Sequence, residues 1–152
     1  SSIGAEMEAE LLIGKQLNLE KAREYALMGN TKGLMEEISK QAGTQEDFLK
    51  MNIIQRKALA NAVGMEVNEL ADMYEKKAKN DKLAEKSLKL QNKLEEKGIV
   101  IRKDADGNIL NSMADIAAAS RATGKSEKEI RDILGGQVYL RKQEEDSTQT
   151  KQ

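Results

Sequence analysis

The chain has 152 residues, 25 basic and 26 acidic side chains, a net charge of −1, and no His, Cys, Trp or Pro. That composition excludes disulfides, thiolate or Cys–His catalysis, Cys-based metal sites and a global basic field for nucleic acid. Aromatics make up 3% with a single Phe, so the core must come from Leu, Ile, Met and Ala, which suit helix packing.

In chain order, Leu11, Leu12 and Leu17 stand beside Glu6, Glu8 and Glu10. Acids at that position suit a helix start, and a helix is expected over residues 6–17. The apolar run Leu11-Leu12-Ile13 is far too short to span a bilayer. The start of the chain, Ser1-Ser2-Ile3-Gly4, has no basic segment and no apolar core, so no signal peptide is expected there.

Asn18 is expected to cap a helix with Leu19, Ala22 and Ala26 on one face, ended by Gly29. Thr31 is expected to cap the next, faced by Leu34, Met35 and Ile38 and stopped by Gly43. Thr44 with Asp47 three residues on is a capping-box variant. Ile53 or Ile54, Ala58, Leu59 and Ala62 then form an amphipathic face ended by Gly64.

Residues 67–97 hold no Gly or Pro and predict one long amphipathic helix. Leu83, Ser87, Leu90 and Leu94 follow the spacing of a coiled-coil seam. Leu83, Leu90 and Leu94 are the candidate interface residues, expected to be buried against another helix, with a second copy of the chain as a candidate source of it. Asp72–Lys76, Glu75–Lys79 and Glu85–Lys89 are acid-before-base pairs that support the helix. Lys79, Lys82, Lys86, Lys89 and Lys93 form a stripe at helical spacing. It could track a nucleic-acid backbone or an acidic partner. It carries no Arg and no interleaved aromatic, and the expectation is a solvated back of the helix.

At Gly98 the period changes. Ile99-Val100-Ile101, a turn over Asp104-Ala105-Asp106-Gly107-Asn108, and Ile109-Leu110 predict a small β-hairpin. Val138-Tyr139-Leu140 could add a third strand. Ser112 and Asp115 open a helix through Thr123, ended by Gly124. Ser126 and Glu129 form a capping box for a short helix to Leu134. Residues 141–152 hold nothing apolar and are expected to be a disordered tail. The fold class is mainly α, divided as residues 1–66, 67–97, 98–140 and 141–152.

Candidates for chemistry are few. Glu36 and Glu37, or Glu95 and Glu96, point apart on a helix and do not converge. The Asp104 turn lacks the ligand spacing of an EF-hand and reads as a turn. Gly124-Lys125-Ser126 resembles the end of a phosphate loop, but Ala119 stands where its first Gly should be. No catalytic, cofactor-binding or metal-binding residue is expected, and the chain is not expected to be an enzyme.

Leu59, Ala60, Val63, Gly64, Met65, Leu70 and Met73 have helix-turn-helix spacing. The second helix would present Glu66, Asn68, Glu69 and Asp72 to phosphates, which repels. Ala122 to Ile133 echoes the unit, with Lys125, Lys128 and Arg131 set among Glu127, Glu129 and Asp132. A small helical nucleic-acid-associated or regulatory module is therefore the alternative reading.

Residues 18–73 carry landmarks at Asn18-Leu19, Ala22-Arg23, Gly29, Gly33, Gly43, Met51-Asn52, Gln55-Arg56-Lys57-Ala58-Leu59-Ala60, Gly64 and Glu69-Leu70. This stretch resembles a segment of tape-measure proteins from tailed-bacteriophage tails. The resemblance implies a structural protein of the virion, inside the tail tube or at its tip. Such a protein sets tail length, occludes the lumen and leaves during genome ejection. It would be made in the host cytoplasm and would partner with itself and with other tail, tube or baseplate proteins. Apart from the resemblance, the lysine stripe from Lys79 to Lys93 leaves room for a weak, non-specific contact with DNA, and no membrane span is expected.

Overall fold

The computed structural model describes residues 2–135 and is mainly α, with eight helices and no strand among the described residues. The expected strand at Val138 to Leu140 and the tail over residues 141–152 lie outside the described residues. The chain divides into two compact units, Ser1–Ala78 and Lys79–Gln152. The division falls inside the longest helix, not at either of its ends.

The first unit begins with α1 (Ser2–Ile13), α2 (Glu20–Leu27), α3 (Thr31–Ala42), α4 (Gln45–Lys50) and α5 (Ile53–Ala62). It also takes the first turns of α6 (Val67–Glu96). Each short helix is too brief to be stable by propensity alone, so caps and tertiary burial must hold it. The core supplies that burial through Leu19, Ile38, Phe48, Leu59, Leu70 and Tyr74, all nearly inaccessible. Phe48 and Tyr74 stack with ring centroids 4.6 Å apart. The two aromatics thus give an otherwise aliphatic core its largest side chains.

Local chemistry explains the helix ends. Thr44 and Asp47 form the expected reciprocal capping box of α4. A second box, Asn52 with Gln55, opens α5. Two expected caps move. Asn30, not Thr31, caps α3, with its side chain accepting from the Gly33 N–H at 2.9 Å. Asn18 does not cap α2, because the residue before that helix is Leu19 and makes no side-chain cap.

α2 is held instead by distant side chains. Glu10 accepts from the Leu17 N–H at 3.0 Å, Gln41 from the Asn18 N–H at 3.1 Å, and Glu6 from the Leu19 N–H. Glu6 and Glu10 therefore do not mark a helix start. α1 begins earlier, ends before Gly14, and aims these acids at the orphan amides that precede the next helix.

Two glycines are tightly constrained. A methyl at Gly33 would lie 2.8 Å from the Tyr25 ring, so α2 and α3 approach closely there. Gly43 has φ +107°, and a methyl would lie 2.5 Å from an Asp47 carboxylate oxygen. Ile53 and Ile54, one or the other expected on the inner face of α5, are both exposed; Leu59, Ala60 and Ala62 are buried.

The second unit holds the rest of α6, then α7 (Met113–Thr123) and α8 (Glu127–Leu134). Leu90, Leu94, Ala119, Ile130 and Leu134 form its core, with Ile99, Ile101, Ile109 and Ile133 at the edge. The expected hairpin is reduced to one antiparallel bridge, Lys103 with Ile109. The Asp104 carboxylate accepts from the N–H groups of Asp106 and Asn108, at 2.9 and 2.8 Å, which folds the turn. Arg102 gives its N–H to the Asn111 side chain at 2.8 Å, not to a facing strand, so the ladder stops. Ser112 caps α7 and Ser126 caps α8 through the Asp115 and Glu129 amides.

Candidate interaction surfaces

Leu90 and Leu94 are buried within the second unit, at 5% and 0% exposure, and Leu83 is half-buried. Leu90 and Leu94 thus pack with Ala119, Ile130 and Leu134 of the unit's own α7 and α8, which leaves little surface on either leucine for a second copy. Residue spacing alone cannot tell a seam facing another chain from one facing later parts of the same chain.

An exposed apolar face lies on α1. On α1, Ala5, Ala9 and Ile13 turn toward the first unit's core. Ile3, Met7 and Leu11, at the same four-residue interval but roughly 200° round the helix, are 66%, 59% and 84% exposed. The helix thus has apolar residues on two opposite sides, one packed on the core and one open. The sequence reading missed this face because Glu6, Glu8 and Glu10 made the segment look acidic. Counting every fourth residue from Ile3 would have found it.

Two side chains of the resemblance segment bind the first unit internally. Gln55 accepts from the Asn52 N–H and donates to the Leu12 carbonyl, each at 2.9 Å, joining the start of α5 to the end of α1. Arg56 donates from Nε and Nη2 to the carbonyls of Phe48 and Leu49, at 3.1 and 2.8 Å. Its guanidinium also lies over the Phe48 ring, 5.2 Å from the centroid. These are the positions where a helix C-terminus most favours a cation.

Polar groups with chemical potential are few. Ser87 is buried in α6, and its Oγ accepts from Gln91 Nε2 at 2.9 Å and Lys103 Nζ at 3.4 Å. Desolvation holds the Lys103 ammonium below its ordinary pKa. A serine beside a lysine is a nucleophile arrangement in some hydrolases. Here the serine sits inside a helix, whose neighbouring amides are already bonded along the helix, so no pair of amides is free to stabilise an oxyanion. The trio fastens the segment after Gly98 onto α6.

Asp104 also accepts from Asn108 Nδ2 at 3.1 Å, and these bonds, the Asn108 amide first, hold its carboxyl below the usual carboxylate range. Its oxygens are engaged by its own turn. In the helix-turn-helix-like segment, Glu66, Asn68, Glu69 and Asp72 are all exposed, presenting three acids to any groove. No helix among the described residues is long and apolar enough to cross a membrane. Compared with known proteins, the chain matches no family model, no curated protein and no solved structure.

Proposed function

We propose that this chain is a non-catalytic structural module of a tailed-phage tail, of the tape-measure kind, which acts in the virion through helical protein–protein contacts. The observation that carries the contact role is the two-sided apolar character of α1, with Ile3, Met7 and Leu11 open. The resemblance of residues 18–73 supplies the tail setting. The landmark residues Gly33, Gly43, Gln55 and Arg56 support it in kind, since each fixes helix packing and none is arranged for chemistry. The partners proposed are a second copy of the chain and other tail, tube or baseplate proteins.

Sedimentation of the chain and of an Ile3→Gln, Met7→Gln, Leu11→Gln variant tests the contact. The wild-type chain should self-associate and the variant should not, with equal melting temperatures. A wild-type chain that stays monomeric at high concentration would count against the reading. The setting is tested by deleting residues 18–73 in frame from the gene in a phage that carries it. Tails of unchanged length and number in electron micrographs would reject the tail role.

A further inference from the structure

We propose that the lysine face of α6 from Lys82 to Lys93 is a docking surface for the phosphate backbone of duplex DNA, bound without regard to sequence. This uses a different surface from α1 and does not rest on the tail reading.

At roughly 100° per residue, Lys82, Lys86, Lys89 and Lys93 fall within an arc of roughly 60° and along roughly 16 Å of helix. All four are exposed. Lys82, Lys86 and Lys93 have no anionic partner among the described residues. Lys89 meets Glu85 at 3.0 Å, but both side chains are largely exposed, and such a pair yields readily to a denser anion. Between Lys82 and Lys93 no acidic residue falls inside the arc.

The kind of partner follows from what the face lacks. The apolar residues of this part of α6, Leu90 and Leu94, are turned into the unit's own core. The exposed Leu88 lies about 100° or more round the helix from each of the lysines. Protein partners dock around a buried apolar centre, and exposed ion pairs alone hold them poorly. Nucleic acid needs no such centre. Its backbone carries about one charge per 1.7 Å of duplex, and each neutralised phosphate releases counterions. Lysines act as point charges on flexible stems, without the planar fork that reads guanine edges. The face also has no aromatic ring on which an unpaired base could stack, which favours duplex over single strand. Affinity should therefore come from phosphates alone.

Fluorescence anisotropy of the full chain with a short labelled duplex tests this. Four phosphate contacts give a slope of about −3.6 in log K against log salt, a loss of about a hundredfold between about 50 and 200 mM. Scrambled duplexes should bind equally. The Lys82→Gln, Lys86→Gln, Lys89→Gln, Lys93→Gln variant should lose binding at an unchanged helical signal, because Gln keeps helix propensity. A Lys32→Gln, Lys40→Gln, Lys50→Gln control should bind as the wild type does. No binding at low salt, a slope shallower than about −1.8, or equal binding by the four-lysine variant would overturn the proposal. So would binding of polyglutamate with none of duplex, which would assign the face to an acidic protein. The salt slope is read on the wild-type chain, so the proposal stays testable even if the variant misfolds.

Discussion

Tyr74 donates its hydroxyl proton to the carbonyl oxygen of Gly43, at 3.0 Å across 31 residues of chain. The bond joins α6 to the junction of α3 and α4 while the ring stacks on Phe48. Burial, with the Asp47 charge adding to it, holds the Tyr74 hydroxyl well above its ordinary pKa. Tyr74→Phe should cost about 1 kcal/mol in urea unfolding, the net worth of one hydrogen bond. Tyr74→Ala should cost about 3–5 kcal/mol, because it also opens a cavity.

The same tyrosine sets an alkaline limit. Its folded pKa is raised, so its contribution is complete below the unfolded value of about 10 and is lost as pH rises through the folded value. Wild-type stability should fall from about pH 10 upward, and Tyr74→Phe should lack that component of the decline. Unfolding free energies measured across that range make the comparison.

Two carboxylates set an acid limit. Asp47 is held below the usual range chiefly by the Thr44 amide, and Asp104 chiefly by the Asn108 amide. Each contribution is present above the unfolded pKa of about 3.9 and is lost as pH falls through the lower folded value. An acid titration followed by circular dichroism should show an Asp47→Asn, Asp104→Asn variant less stable near neutrality. Its stability should depend less on pH in the acid range than that of the wild type.

Gln55 should reveal its two bonds separately. Gln55→Ala removes both and should cost about 1–3 kcal/mol. Gln55→Glu keeps the acceptor for the Asn52 amide but cannot donate to the Leu12 carbonyl. It should therefore fall between wild type and Gln55→Ala in a thermal or urea melt. A melt of Gln55→Glu indistinguishable from wild type would show that the link to α1 adds nothing.

Leu94→Ala should destabilise the second unit by about 2–5 kcal/mol, as for other fully buried leucines. Since Leu94 is spent inside the unit, the sedimentation of the folded variant should match wild type. Altered assembly at native stability would return Leu94 to an intermolecular role.

The helices were largely legible because their ends are written locally. Thr44 with Asp47, Ser112, Ser126, Gly43 and Gly124 act within a turn or so of where they stand. What was not legible is what depends on distance. Glu10, Gln41 and Glu6 cap amides 7, 23 and 13 residues away, and no spacing rule reaches them. Ile99 to Ile101 has strand composition, but two short flanks make a marginal ladder, and Ile99 and Ile101 instead pad the core while Val100 stays exposed. Leu90 and Leu94 lie in one core with residues 25 or more positions farther on, Ala119, Ile130 and Leu134, a distance that no spacing rule spans.

The three caps before α2 distribute mutational tolerance unevenly. In each, the donor is a main-chain amide and the acceptor is a side chain. Any residue but proline supplies that amide, so these bonds place no further demand on identity at positions 17, 18 and 19. The acceptors have no such freedom: shortening Glu6 or Glu10 by one methylene withdraws the oxygen from an amide that cannot follow. Glu6 is the more exposed to this, because its other oxygen lies 3.5 Å from Arg23. Sequence drift through this junction should therefore be checked at residues that lie in α1 and α3, away from the helix start they complete.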